Sequence, residues 1–596
     1  MKVLLLLATL SVVAADYVSE SNQKSAAAMH YDYLYPPPPT HYPPKTTPKP
    51  NTKPNKYKRK KPTKQYTKKP TKKRMKKPTK KLMKKPTKKR MKKLTKEPVD
   101  LSLKRMIFEA RSGETEDIMS YVMSLLPPPQ QSAADDPPPS DTSKVINLLQ
   151  VFDGFEQDDN LLILDNGFAP ADANGDVGIY HYVQMGNILT SIFKKSGELI
   201  LGPFPNNVFW KALGEDSACA TFNDGDPIVL YDEEEDRWLV SQFAISGPGE
   251  FLCVAISKTG DPTGEYHAHE FDFTTIGLPD YPKYGFVTNA ISVMFNVFGP
   301  QGFLGTGLGV IDKAAAMKGE KTTMVFYVLP AIVFGFGFLP GDNDGPVFSD
   351  MPPTFFVTNN GNDRIDVFEI APDFDTIENT KIAMVAKIPV TPFVSDLCNA
   401  FRERCIDQPG SGTENIPFLE AITDRLMHRL QLRDFGGHKK AVVSHTINAD
   451  GNGKAGIRWY EFENDRNEGW KLKSEETFSP DGDHRWMPSI AMNKKGETCL
   501  GYSISSNTTY PSIGVVGQRG TSGNEDSGEL VAFDGNVDAN VQTFTSRWGD
   551  YSAMAIDPVD DTCWYTTQFA KPNSLVGERF GWATKIVQFE FKGGDY

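Results

Sequence analysis

From about Val145 onward the chain is written in short apolar runs separated by Gly, Pro, Asn and Asp. Several come in pairs: Pro227–Leu230 with Arg237–Ala244, Phe355–Thr358 with Arg364–Ile370, and Lys440–Thr446 with Gly456–Phe462. Ser489–Met492 with Thr498–Ser505 and Ser552–Ile556 with Thr562–Phe569 repeat the form, and Gly178–Ile192 has the same texture. Two β-rich runs joined by a short polar turn read as a hairpin. Ala491–Leu500 and Ala555–Trp564 align without a gap, sharing the first Ala and a late Thr-Cys. A hairpin unit that returns every 45–70 residues or so indicates radial repetition. The pattern predicts an all-β fold, a six- or seven-bladed β-propeller over 145–592. A pair of β-sandwiches is the alternative, and it leaves the likeness between units unexplained.

Upstream the pattern changes. Leu103, Met106 and Ile107, then Ile118, Tyr121, Val122 and Leu125, return at spacings of three and four. This predicts a helix within 100–126, followed by a Pro-rich linker over 127–144. Residues 60–99 run in octapeptides, KKPTKQYT, KKPTKKRM, KKPTKKLM, KKPTKKRM and KKLTKEPV, and 16–59 are rich in Tyr and Pro. Proline breaks helices and adjacent lysines repel, so these segments cannot bury enough apolar surface to offset their ordering entropy. They predict a disordered arm. Met1–Ala15 (MKVLLLLATLSVVAA) has the design of a secretory leader, with cleavage after Ala15. No later stretch supplies the 18 uninterrupted apolar residues of a membrane span; Met324–Leu339 is broken by Pro330, Gly335 and Gly337 and reads as sheet core.

Charge sharpens the division. Residues 45–105 hold 28 Lys or Arg against two acids, about +26, so a total of −10 leaves about −36 for the remainder. Lys60, Lys61, Lys68, Lys69, Lys76, Lys77, Lys84 and Lys85 open the repeats and are candidate polyanion ligands. Repeated weak sites gain through effective concentration; the plain alternative is a solvated linker or a removable propeptide. Six cysteines in a chain with a leader suggest disulfides, and we favour Cys398–Cys405, Cys219–Cys253 and Cys499–Cys563. Asn507-Thr508-Thr509 is a glycosylation sequon.

A wider likeness is carried by Gly225–Asp232, Arg237–Phe243, Ser257–Gly264, Asp280–Lys283, Thr423–Arg429, Gly456–Glu461, His484–Met492, Tyr502–Ser506, Tyr510–Ile513 and Arg547–Met554. On these stretches the head resembles a group of secreted, mostly bacterial propeller-type proteins of poorly defined activity. The resemblance implies the fold over roughly 150–592 and says little of activity. The arm looks like the Tyr-, Pro- and Lys-rich repeats of marine adhesive proteins, such as mussel foot proteins, and of shell-matrix proteins. That likeness would make Tyr31, Tyr33, Tyr35, Tyr42, Tyr57 and Tyr66 candidates for conversion to DOPA.

Arg-Trp recurs at 237–238, 458–459, 485–486 and 547–548. In repeating blades the plain reading is structural, the Trp packing between sheets. The functional reading starts from equivalent blade positions converging at one end of a central channel. There Arg485, Arg547, Asp550 and Tyr551 could bind and cleave a carboxylated sugar, the guanidinium fork matching the carboxylate. The Ser-x-Asp-x-Gly-x-Thr-Trp box of sialidases is lacking. Asp172, Asn174 and Asp176, and Asn448, Asp450 and Asn452, place oxygen ligands at alternate positions, as calcium wants; plain turns are the competing reading. Asp232–Asp236 (DEEED) reads as a solvated hairpin tip, and His438 and His445 as turn or sheet residues. No cofactor is otherwise expected. The sequence points to a secreted matrix, adhesive or mineral-associated protein. Its arm would bind acidic polysaccharides, acidic matrix proteins or mineral rather than nucleic acid. The alternative is a secreted propeller glycosidase, sialidase-like, or a lyase acting on acidic glycans.

Overall fold

The structure is a computed structural model describing residues 99–593, apart from 101–102, 116, 126–142, 331–335, 346–350, 399, 401–402, 414–415, 466–467, 521–526, 537–545 and 572–580. Ala15 and the repeat lysines lie outside the described residues. Seven antiparallel blades stand around a common axis. Their inner strands are Asn174–Val177, Ile228–Asp232, Leu278–Val287, Leu339–Asn343, Met427–Asp434, His484–Met492 and Ala553–Ile556, which we number blades 1 to 7. Each inner strand lies beside the next, and that of blade 7 lies beside that of blade 1. The fold is therefore a seven-bladed β-propeller, and a pair of sandwiches is excluded by the closed ring.

Both faces of a blade pack on a neighbour, so apolar residues run continuously along the strands instead of alternating with polar ones. Ile228 and Leu230 face blade 3, while Val229 and Tyr231 face blade 1. Ala441 and Val443 pack toward blade 4, and Val442 toward blade 6. Burying one such Val, Leu or Phe contributes about 1.5–3 kcal/mol. The core is thus a set of slabs between blades. The polar groups of the inner strands bind the ring together: Val229 N donates to Asn174 Oδ1 (2.8 Å), Phe286 N to Asp342 Oδ1 (2.8 Å), Met492 N to Gln431 Oε1 (2.6 Å) and Met554 N to Ser489 Oγ (2.8 Å). Blades 4 and 5 join more closely, Gly341–Asn343 pairing in parallel with Leu430–Leu432. A Cβ on Gly341 would meet Leu432 Cδ1 at 2.4 Å, so a larger residue there would require the Leu432 side chain to move.

The segment ahead of the ring corrects the expected helix over 100–126. β1 (Val99–Asp100), β2 (Arg105–Glu109) and β3 (Arg111–Glu114) add outer strands to blades 4, 3 and 2 in that order. Among the described residues of this segment only α1 (Ile118–Leu125) is helical, and it presents buried Ile118 and Val122 to the slab between blades 1 and 2. The apolar spacing at 103–107 suited a helix, but Met106 and Phe108 turn inward while Ile107 is 43% exposed, a period of two. β4 (Ile146–Glu156) then forms the outer strand of blade 7 against Trp582–Phe591 and closes the ring. The N-terminal segment is a belt that runs backward around blades 4, 3, 2 and 1 before the closure.

The cysteines form Cys219–Cys253, Cys398–Cys405 and Cys499–Cys563, and none is free among the described residues. Cys499 and Cys563 occupy the second strands of blades 6 and 7. No helix among the described residues is long and apolar enough to cross a membrane.

Candidate active site

At one end of the channel, just ahead of the inner strand or at a break in its register, a residue in several blades adopts a left-handed backbone. These residues are Asp172 (φ 45°), Asp226 (φ 51°), Tyr281 (φ 57°), Met487 (φ 51°) and, as glycines, Gly337 and Gly549. For bulky Tyr281 and Met487 this conformation is a genuine outlier, and such strain concentrates at functional sites. In blades 3 and 6 the pairing register breaks at the same place, between Asp280 and Lys283 and between Trp486 and Ser489. The break re-aims side chains.

In blades 1, 2, 3 and 7 these positions bring together Asp172, Asp226, Tyr281, Lys283, Asp550 and Tyr551, none more than 4% exposed. Tyr551 Oη donates to Asp226 Oδ2 at 2.5 Å, and Tyr281 N donates to the same oxygen at 3.2 Å. The Lys283 ammonium lies 3.3 Å from the centre of the Tyr281 ring and 3.5 Å from that of Tyr551. Arg547 donates to Asp550 Oδ2 (2.6 Å). Asn187 donates to Asp172 Oδ2 (2.8 Å) and accepts from Asp226 N (3.0 Å), joining the two carboxylates' turns. Asp172 Oδ1 is buried without a hydrogen-bond partner.

Burial dominates the proton balance. It pushes Asp172 well above the usual carboxylate range, with Arg547 opposing. It raises Asp226 as well, against the hydrogen bond from Tyr551. It lowers Lys283 to about 7, although Asp226, Asp550, Asp172 and Asp280 pull the other way. It drives Tyr551 well above its ordinary value, reinforced by Asp226 and Asp172. His428, fully buried beside Lys283 and Arg429, falls well below the usual histidine range, with burial the main cause. A phenol tied to a carboxylate, a second carboxyl inclined to keep its proton, and a cation against the phenol ring are the parts of an acid–base and nucleophilic centre.

The described residues of a long connection between blades 4 and 5, within 390–425, lie over this end of blades 5 to 7. Asn448 N donates to Val394 O (2.8 Å), Ser505 Oγ to Asp407 O, and Glu420 N to Ser546 O (2.9 Å). Leu397, Ile406, Leu419, Ala421 and Ile422 pack on Trp486, Met487 and Trp548. Cys398–Cys405 closes a loop within it. The connection ends at Arg425, whose guanidinium lies 4.0 Å from the Phe336 ring centre and 5.4 Å from that of Tyr281.

Of the four residues singled out from the Arg-Trp motifs, Arg547, Asp550 and Tyr551 stand together. Arg485 does not join them; it is clamped between Asp481 (2.6 Å) and Glu529 (2.8 Å) in blade 6. All four tryptophans of the Arg-Trp pairs are buried. Asp226, Tyr281 and Lys283 escaped notice in the sequence, though each lies within a quoted stretch. Their signal is a residue followed by proline at the start of an inner strand, as in Asp226-Pro227, Tyr281-Pro282 and Met487-Pro488.

Neither candidate calcium set gathers around one point. Asn174 and Asp176 give their oxygens to Val229 N and Tyr231 N of blade 2, while Asp172 faces the cluster above. Asp450 Oδ1 accepts from Asn452 N and Lys454 N, and Asn448 Oδ1 from Gly453 N, which makes an ordinary turn. Among the described residues, the metal-type cluster of His, Cys, Asp and Glu is Cys398, Glu403 and Cys405, whose sulfurs are bonded to each other. The acidic tip is less solvated than expected: Asp232 pairs with buried Lys313 at 2.6 Å, and Glu233 accepts from Gly345 N. His445 is buried in the sheet against Tyr460, His438 lies in an exposed turn, and Asn507 is exposed.

No family model matches the chain. No curated protein matches it either. Among solved structures, the GH43 endo-arabinanase from Bacillus licheniformis is 11% identical at a TM-score of 0.24, over 49% of this chain and 94% of its own. A PL25 polysaccharide lyase, an ulvan lyase, is 10% identical at 0.25, over 68% and 81%. PorZ, a surface component of the type-IX secretion system of Porphyromonas gingivalis, is 15% identical at 0.23, over 67% and 42%. At such scores the fold rests on the ring of blades described above and not on these structures. None of the comparisons supports the likeness of the arm to adhesive or shell-matrix repeats.

Proposed function

We propose that the head cleaves glycosidic bonds and that its reacting groups are Tyr551, Asp226 and Asp172. The observation that carries this reading is the 2.5 Å bond from Tyr551 to Asp226 inside a buried, acid-rich centre with Lys283 against the phenol ring. In this scheme the Tyr551 oxygen bonds to the anomeric carbon as its proton passes to Asp226. The glycosidic C–O bond breaks, and Asp172 protonates the leaving oxygen. Water then releases the sugar from Tyr551 with the proton flow reversed. Lys283 acts as a positioning residue whose charge favours the phenolate.

The three disulfides support an oxidising, extracellular setting. The basic arm would hold the protein on acidic polysaccharide, which keeps the polyanion-binding role read from its repeats. The adhesive-matrix reading of the whole protein rests on that arm alone.

The test uses the purified full chain on a panel of acidic and neutral polysaccharides. Reducing ends report hydrolysis, and ultraviolet absorbance reports the unsaturated product of a lyase. Tyr551→Phe should lower kcat/KM by about 100-fold or more in a variant that still folds, its melting temperature falling by no more than the lost bond to Asp226 accounts for. Full activity in Tyr551→Phe, or product from no substrate of the panel, would remove the assignment.

A further inference from the structure

Arg425 is placed differently from the other cations of the centre. Arg547 is turned onto buried Asp550, and Lys283 is enclosed by two rings. The Arg425 side chain is 10% exposed, yet its partner Asp424 is 59% exposed. Asp424 fills the guanidinium fork from the solvent side, Nε to Oδ1 at 2.8 Å and the terminal nitrogen to Oδ2 at 3.3 Å. Behind the fork stand the faces of Phe336 and Tyr281, and Tyr281 also carries Lys283. The guanidinium therefore reaches from the rim to the ring that touches the buried centre, and a water-exposed carboxylate of its own chain occupies its recognition edge.

A planar fork backed by aromatic faces is suited to a carboxylate, and an exposed aspartate on it can exchange with another carboxylate. We propose that Arg425 is the specificity-determining residue that reads the carboxylate of a uronic-acid-containing glycan, and that Asp424 holds its place while the site is empty. This rests on the glycan-cleaving reading above and names the substrate class of the same site. The geometry favours the carboxylate over a neutral sugar because only a carboxylate replaces the charge that Asp424 places on this largely buried guanidinium. A ligand carboxylate reproduces both bonds, whereas a hydroxyl reproduces one.

The test is calorimetric binding of a uronic-acid oligosaccharide and of its carboxyl-reduced counterpart to the full chain. Elevated salt screens the basic arm, and the arm is the same in every variant. Wild type should prefer the acidic form. Arg425→Lys keeps the charge and loses the fork, so it should cut that preference about 10-fold and leave the neutral sugar unchanged. Asp424→Asn should tighten the acidic ligand several-fold and leave the neutral one alone. Equal effects on both sugars, no effect of either substitution, weaker acidic binding in Asp424→Asn, or no binding of the acidic probe by wild type would each overturn the assignment. Turnover is read separately. Absence of product removes the reaction assigned to Tyr551, while the difference between acidic and reduced ligand still decides Arg425.

Discussion

Lys283 has no exposed surface and sits among Asp172, Asp226, Asp280 and Asp550. Burial alone would strip its proton; the aspartates hold it to about 7. If its charge supports the Tyr551 phenolate, the rate is present below that value and falls as pH rises through it. A pH profile of kcat/KM checks this, and a profile flat from about 6 to 9 would dissociate Lys283 from the reaction. Glu233 gives a complementary test of stability. Burial raises its carboxyl from 4.5 to about 8, with Asp344 adding to the rise. The folded state then binds a proton between 4.5 and 8 that the unfolded state has released, so this group's contribution to stability declines as pH rises across that window. Glu233→Gln cannot titrate and should show a shallower loss of melting temperature from pH 5 to pH 8. At this scale the sequence singled out Arg547, Asp550 and Tyr551 because they lie beside a repeated Trp, and the structure places the three in one cluster. Nothing in the spacing marked Lys283 and Asp226, which converge from separate blades, and Arg485, grouped with the three in the sequence, stands apart from them on Asp481 and on Glu529, 44 positions downstream.

Among the elements, hairpins were readable because each carries its own turn chemistry, and the Ala491 and Ala555 units proved to be the first hairpins of blades 6 and 7. The belt was not, because β2 and β3 have no hairpin partner near them in sequence; they complete blades 3 and 2 across more than 150 residues. Disulfides were readable only as a preference among pairings. Cys219–Cys253 closes 34 residues between the blade 1–2 connection and blade 2. Replacing both cysteines by serine should cost about 4 kcal/mol on the chain-entropy estimate. Denaturant midpoints measured with and without reductant check this: the serine variant should lose about a third of its response to reductant, the remainder coming from Cys398–Cys405 and Cys499–Cys563. Along α1, Val122→Ala removes two methyl groups from a position 1% exposed. It should speed amide exchange in Ile118–Leu125 while leaving the inner strands protected.

As a whole molecule, the ring explains why the chain reads as uniform β texture without alternation: every blade has two buried faces. What composition could not supply was the number seven, since blade 4 merges with blade 5 through Gly341–Asn343 and the last blade borrows β4 from the other end of the chain. The order of the belt has a mechanical consequence. Load arriving through the residues ahead of Val99 falls first on β1 at blade 4, then on β2, then on β3, one short ladder at a time. Each is an outer strand that can unzip without disturbing the ring, and the slack from 99 to 142 would be roughly 150 Å when extended. Force spectroscopy pulling from the N-terminus should therefore record small early releases before the large event in which β4 tears from blade 7. The belt would act as a shock absorber, sparing the ring and the buried cluster at the end of its channel while the N-terminal side is under strain.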